Sequence, residues 1–226
     1  MMVHEISPRH VLLGGCFLAF GAAFVNVGFI LQTGASVSHL TGDLTRVAIE
    51  LSSIDTAVGR SLARVGLATL GFIAGAFVSG YLLHASKLEM RKPYGRVISG
   101  IGLMLLLAFG LMDWSVEAAI GLSGVACGLQ NALATRYRGS ILRTTHVTGL
   151  LTDLGVMLGM RSRSRNIEGW RIGVPFFLSL SFFLGSLAGA FGSYHLQSHW
   201  LLVAGFGYLI GGMGWSLAKR LYFGIS

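Results

Sequence analysis

Two short runs in the chain carry residue types suited to chemistry. The first reads His39-x-Thr41-Gly42-x-x-Thr45 and the second His146-x-Thr148-Gly149-x-x-Thr152. Thr41 and Thr45, like Thr148 and Thr152, stand four residues apart and share one face if the runs are helical. Ser36 or Ser38 is placed to cap a helix beginning near Leu40, and Thr144 or Thr145 one beginning near Val147. Leu40, Leu44, Val47 and Leu51 would make the first helix's apolar face. Free N–H groups and the positive dipole end at such helix starts suit an anion or an electron-rich polar solute. His39 and His146 stand at those ends, and histidine is the side chain suited to couple binding to a proton near neutral pH. Asp43 and Asp153 could take the same part, or pair with Arg46 and Arg143. Asn26 and Asn131, with Gln32 and Gln130 beside them, add amides inside apolar stretches. There they must face protein or a wet cavity, either gluing helices or lining a site.

Other chemistries find little support. His39 and Asp43 have metal-ligand spacing, but the second run has Leu150 in the matching place, so no metal site is expected. No phosphate loop, nucleophile elbow or zinc-protease motif occurs. No cofactor is expected. Cys16 and Cys127 lie inside apolar runs and read as buried small hydrophobes.

The elements that would position these residues are membrane helices. Of the 226 residues 53% are hydrophobic and 12% charged, half the charge of a usual soluble domain. Mean hydropathy is +0.69. Glycine contributes 33 residues against 3 prolines, which excludes collagen and disordered linkers and suits close helix packing in lipid. The net charge of +8 sits in short loops, as topology determinants do, with no aromatic-interleaved stripe for nucleic acid. Six apolar runs are long enough to span: 10–32, 61–85, 94–112, 115–135, 171–194 and 199–218. The runs at 34–53 and 139–159 carry charges that a lipid-exposed span would bear at roughly 2.5–3.5 kcal/mol each. They read instead as half-helices, about 38–53 and 145–159, that dip in and return or lie at the interface.

The chain repeats itself. Asn26-x7-Gly34 recurs as Asn131-x7-Gly139, the His-x-Thr-Gly runs follow in both halves, and Gly71, Ala74–Phe77 and Ser79 recur as Gly185, Ala188–Phe191 and Ser193. This divides the chain into residues 1–113 and 114–226. Three spans and one half-helix per half make the halves face opposite ways. The basic loops at 87–96, 136–143 and 161–171 and the tail at 219–220 then share one side, with both termini cytoplasmic under the positive-inside rule. Only Arg60 and Arg64 fall at the outer face. If both half-helices spanned, the 87–96 cluster would move outside.

Asn26, Gly34 and His39-x-Thr41-Gly42 in one half, with Gly128–Asn131, Thr144-Thr145 and Thr148-Gly149 in the other, resemble the YoaK-like family of bacterial membrane proteins. That family is catalogued as a domain of unknown function, so the resemblance implies a multi-pass fold in the bacterial inner membrane and no set of functional residues.

The expected fold is an all-α integral membrane protein with six transmembrane helices, two half-helices and two inverted-topology repeats. The expected activity is that of a transporter or channel for a small polar or anionic solute, and not an enzyme. The site would hold Asn26, Gln32, Ser38, His39, Thr41, Gly42, Thr45, Gln130, Asn131, Thr145, His146, Thr148, Gly149 and Thr152, with His39, His146, Asp43 and Asp153 as proton-coupling groups. The alternatives are a membrane-embedded enzyme acting on a lipid-soluble substrate and a non-transporting assembly protein. The expected partners are the lipid bilayer and the solute, and no nucleic acid. The Gly/Ala/Ser faces 71-75-79 and 185-189-192 read as packing seams, within the chain or in a homodimer.

Overall fold

The computed structural model describes residues 7–53, 58–83, 92–133, 136–137, 140–141, 144–163 and 166–223. The described residues form eight α-helices: α1 (Pro8–Thr33), α2 (Leu40–Ser52), α3 (Val58–Leu83), α4 (Tyr94–Met112), α5 (Val116–Asn131), α6 (Val147–Ser162), α7 (Gly169–Leu196) and α8 (Trp200–Phe223). An antiparallel pair, β1 (Arg136–Tyr137) and β2 (Ser140–Ile141), lies between α5 and α6, and a 3-10 turn at Gln197–His199 joins α7 to α8. The loops around Lys87–Arg91 and Arg143, and Arg165, lie outside the described residues.

The protein is a helical membrane protein by the character of its helices. α1, α3, α4 and the stretch Gly169–Leu221, which the 3-10 turn divides, are long and apolar enough to cross a bilayer. α5 is apolar but has 16 residues, short of the about 20 that a hydrocarbon core requires. Leu70, Phe77 and Tyr81 of α3, Phe183, Leu187 and Phe191 of α7, and Ile210 and Leu221 of α8 are all exposed. In water such a surface would be a liability; against acyl chains it is the expected one.

Glycine sets how the long helices meet. A Cβ on Gly71 would overlap the Gly121 carbonyl of α5, and one on Gly75 the Val125 carbonyl. Four residues along α3 correspond to four residues along α5 in the same sense, so these helices run parallel. Gly185 and Gly189 of α7 sit likewise on the Phe20 and Phe24 carbonyls of α1, and that pair is also parallel. In α4 and α8, Gly95 meets Gly212 and Gly102 meets Gly205, so here the helices are antiparallel. The small-residue faces of α3 and α7 therefore pack within the chain.

Gly34 ends α1 in the left-handed conformation (φ 72°), its N–H donating to the Ile30 carbonyl, a conformation that glycine adopts without strain. Ser115 starts α5 by accepting from the Ala118 N–H at 3.2 Å. α2 and α6 begin at Leu40 and Val147, as expected, but without side-chain caps: His39 and His146 occupy the cap positions. The hydroxyls of Ser36, Thr144 and Thr145 are engaged elsewhere, as the next section shows. The face of α2 differs in part from expectation. Val47 is buried as expected, but so is Asp43, while Leu44 and Leu51 are exposed, because Asp43 is tied to the segment that precedes the helix.

The glycine contacts predict a sharp contrast. Gly75→Ala pushes α3 off α5 at a backbone carbonyl, and about 1–3 kcal/mol of destabilisation is expected from such overpacking. Gly66→Ala, on the same helix with nothing within 4 Å of the new Cβ, should be neutral or slightly stabilising. Thermal unfolding in detergent compares the two, and equal effects would refute the seam.

Candidate functional site

The first His-x-Thr-Gly run is held by Asn26. After Gly34 the chain turns back along α1, and the Asn26 Oδ1 accepts from the Val37 N–H at 3.1 Å and the Ser38 N–H at 3.0 Å. Those bonds fix the amide's orientation and turn its Nδ2 toward His39 Nδ1 at 2.9 Å. An amide nitrogen only donates, so Nδ1 accepts and the His39 proton resides on Nε2. The Ser36 hydroxyl accepts from the His39 N–H at 2.6 Å, and the Ser36 N–H donates to Asp43 Oδ2 at 2.6 Å. Arg46 completes the clasp: it pairs with Asp43 at 3.3 Å and Glu50 at 3.7 Å and donates to the Gly34 carbonyl. Asn26, Ser36 and Asp43 are buried.

The His39 ring lies edge-on to Phe182 of α7, with centroids 5.2 Å apart. Burial holds the imidazole below its ordinary value of 6.5, partly opposed by the nearby Asp43 carboxylate. The neutral form is also the one that can accept from Asn26, so geometry and electrostatics agree.

The second run is held differently. Asn131 Oδ1 accepts from the Thr145 hydroxyl at 2.8 Å. Gln130 next to it reaches three partners: its Nε2 donates to the Leu18 carbonyl at 2.8 Å and to Thr144 Oγ1 at 3.3 Å, and its Oε1 accepts from the Tyr208 hydroxyl. Gln130 thereby joins α5, α1, α8 and the start of the second run. His146 is exposed, its ring folded over Gly149, where a Cβ would collide with it.

The remaining expected residues divide by exposure. Thr41, Gly42, Thr45, Thr148, Thr152, Asp153 and Gln32 are exposed. Thr45 donates back to the Thr41 carbonyl at 3.0 Å, and Thr152 to the Thr148 carbonyl at 2.9 Å, the same bond in each half. Ser38 is half-buried, its hydroxyl 3.5 Å from His39 Nδ1. Asp43 pairs with Arg46 as one expected alternative had it. Among the described residues no hydrogen bond joins the first run to the second. They dock on α1 eight residues apart, at Asn26 and through Gln130 at Leu18, which is about 12 Å along a helix axis.

Three contributors were not singled out from the sequence. Tyr208 had a signal, a phenol inside an apolar span. Arg46 could be read only as a partner of Asp43, and its bond to Gly34 depends on the chain reversal. Arg64, noted as misplaced, donates to the Thr33 carbonyl at 2.6 Å and pairs with Glu117 at 3.3 Å.

Two predictions follow from this bonding. Asn26→Ala orphans two backbone N–H groups, at about 1–3 kcal/mol each, and should speed hydrogen exchange at Val37 and Ser38. Asn131→Ala loses one bond and should cost about 1 kcal/mol; equal losses would refute the difference. Because His39 is held below 6.5, the unfolded chain binds the extra proton as pH falls through the interval below 6.5. Stability should therefore drop over that interval. Asn26→Asp, which sets a carboxylate against Nδ1, should reverse the trend in thermal unfolding between pH 7.5 and 5.

No curated protein and no solved structure matches the chain. The family described as Protein of unknown function (DUF1275) matches residues 14–213, a span that holds both docked runs and the helices that carry them. The chain belongs to that family, as its YoaK-like resemblance implied.

Proposed function

We propose that the protein is a small transporter or channel built from two inverted-topology repeats, moving a small polar or anionic solute past the starts of α2 and α6. The observation that carries this reading is the direction of the paired helices. Suppose that α1, α3, α4, α5, α7 and α8 each cross the membrane. If α2 also crossed, α1 and α7 would run antiparallel; if α6 crossed, α4 and α8 would run parallel. The glycine registers give the opposite in both cases, which supports α2 and α6 as segments that enter and return. The halves 1–113 and 114–226 then face opposite ways, the arrangement that places binding sites at broken or half-length helices.

Arg64 supports the same topology. An arginine at the outer face is unfavourable under the positive-inside rule. This one caps the C-terminal end of α1 and pairs with Glu117 at the start of α5, which lies on that same face in the proposed orientation. Both termini then face the cytoplasm of a bacterial inner membrane.

The chemistry at the starts of α2 and α6 favours electron-rich solutes. Neither helix has a side-chain cap, so first-turn N–H groups remain to meet a ligand. The exposed residues Thr41, Gly42 and Thr148, with the half-buried Gly149, flank those N–H groups. His39 supplies proton coupling in this reading: its protonation breaks the bond from Asn26 and loosens the first docked run. His146 and Asp153, both exposed, would be the second half's proton-coupling groups. No covalent step is proposed.

Charge movement on a supported membrane tests the reading, with the full chain in liposomes against a panel of anions, weak acids, amino acids and cations at two pH values. A current for one solute that disappears in His39→Ala/His146→Ala is expected. A current unchanged in the double variant would remove the histidines from the mechanism. If no solute in the panel moves, the transport reading fails for the classes it contains.

A further inference from the structure

A groove of about 380 Å³ runs between α3 and α4, at the Leu83 end of α3 and the Tyr94 end of α4. It arises from the packing. α3 and α4 both rest on α5 but scarcely touch each other among the described residues. Leu129 of α5 forms the floor, Val78 and Leu82 of α3 one wall, and Arg96, Gly100 and Met104 of α4 the other. None of its lining comes from α2, α6 or the segments that lead into them.

Two observations identify what the groove takes. The first is its open side. Val78 and Leu82 are exposed on a helix long and apolar enough to cross a bilayer. Gly100 has nothing within 4 Å of its Cβ position, so the α4 wall recedes where a side chain would close it. Between such walls water and polar solutes find few partners, and hydrocarbon fits.

The second is charge. Residues 96, 100 and 104 stand four apart on one face of α4, so Arg96 lies at the mouth of the groove, in the helix's first turn. That turn has no acidic residue, and Pro93 before it gives no side-chain cap. A guanidinium therefore stands at the positive end of the helix dipole, the unfavourable end for a cation. Lys219 of α8, itself buried, is near enough to Arg96 to repel it. Among the described residues no carboxylate offsets Arg96. Asp43 and Glu50 pair with Arg46, Glu117 with Arg64 and Glu168 with Arg171. Asp113 ends α4 at its far end, and Asp153 lies on α6, which packs on α7. Three positive features thus favour an anion at one helix end, beside a groove that fits hydrocarbon. One molecule carries both.

We propose that the groove binds an anionic phospholipid, its phosphate set against Arg96 and one acyl chain laid along Gly100 between α3 and α4. The site is separate from the starts of α2 and α6, and it holds whether or not the protein moves a solute.

Native mass spectrometry of the full chain counts bound lipids one at a time. Phosphatidylglycerol and the net-neutral phosphatidylcholine, with identical acyl chains, are titrated in parallel. The wild type should take its first phosphatidylglycerol roughly tenfold more tightly than its first phosphatidylcholine, the scale of one hydrogen bond to a charged group. Arg96→Gln should bring the two lipids level, and Arg96→Lys should keep most of the preference. Gly100→Leu fills the groove without meeting a neighbour and should weaken the first site for both lipids by roughly tenfold or more. Leu82→Trp narrows the groove from α3, so the test stands if Gly100→Leu fails to fold. Arg161→Gln, at the end of α6 and outside the groove, should leave the preference unchanged. Equal affinity for the two lipids in the wild type overturns the proposal. So does a preference that Arg161→Gln lowers as much as Arg96→Gln does, the mark of diffuse surface charge. First-site uptake that survives both groove-filling variants also overturns it. A dimer in the same spectra that those variants dissociate would assign the groove to a second copy of the chain instead.

Discussion

The rest of the structure depends on backbone meeting backbone at glycine. In lipid, burying a leucine between helices gains little over leaving it among acyl chains, so association rests on close van der Waals contact and interhelical hydrogen bonds. Gly71 and Gly75 on α3, Gly124 and Gly128 on α5, Gly185 and Gly189 on α7, Gly95 and Gly102 on α4 and Gly212 on α8 all stand where a Cβ would overlap a carbonyl oxygen. Such contacts fix axial register more strictly than interlocking leucines do, because a shift of one residue puts a side chain where only a hydrogen fits. Register in turn decides chemistry. The α1–α7 contact brings Phe182 within reach of His39. The α3–α5 contact carries Gln130 to the Leu18 carbonyl and Glu117 to Arg64.

Once the register is fixed, the Asn26 and Gln130 amides inside the bundle find partners, as buried amides must where water is scarce, while the hydroxyls of Ser79, Ser123 and Ser179 have none among the described residues. Asn26 spends its acceptor on two backbone N–H groups that a reversing chain leaves unpaired, and its donor on His39. Gln130 spends both of its amide atoms across three helices and a loop. These amides act first as fasteners. Any solute meets the groups they leave outward, which are the threonines, the glycines and the first-turn N–H groups of α2 and α6.

The sequence already held the apolar runs, the two docked segments and their starting residues, since periodicity, charge and the His-x-Thr-Gly runs are local signals. It did not hold which face of α2 turns inward. Leucine periodicity put Leu44 and Leu51 inward with Val47, and a bond from the Ser36 N–H to Asp43 brings Asp43 inward beside Val47 and leaves both leucines exposed. The cap assignments failed for a similar reason. Ser36, Thr144 and Thr145 have the right chemistry for caps, but the histidine N–H and the amides of α5 claim their hydroxyls first. Glycine seams were legible as seams, while their partners were not, because a notch does not name the carbonyl that enters it. Arg64 shows the same limit: its partners come from α1 and α5, and only the assembled bundle brings them together.

The two docked segments are not equivalent, and the difference bears on which one can move. The first is closed on itself, with Asn26, Ser36, Asp43 and Arg46 bonding over a span of twenty-one residues. Releasing it means breaking several bonds together, the one from Ser36 to Asp43 fully buried, each worth about 0.5–1.5 kcal/mol and more where a charge takes part. The second run holds to α5 through Thr145 and Thr144, while α6 behind it has only Leu150 buried and rests on α7. Gln130, which in the first half has no counterpart binding across the bundle, fastens the end of α5 rather than α6 itself. α2 is thus held chiefly by its hydrogen-bonded clasp, and α6 by its packing on α7. In the proposed reading protonation of His39 would open that clasp, since it would turn the bond from Asn26 into a clash between two donors. Repeat symmetry at the level of sequence thus becomes two modes of attachment, one half closed by a hydrogen-bonded clasp and the other resting on α7 and on the amides of α5.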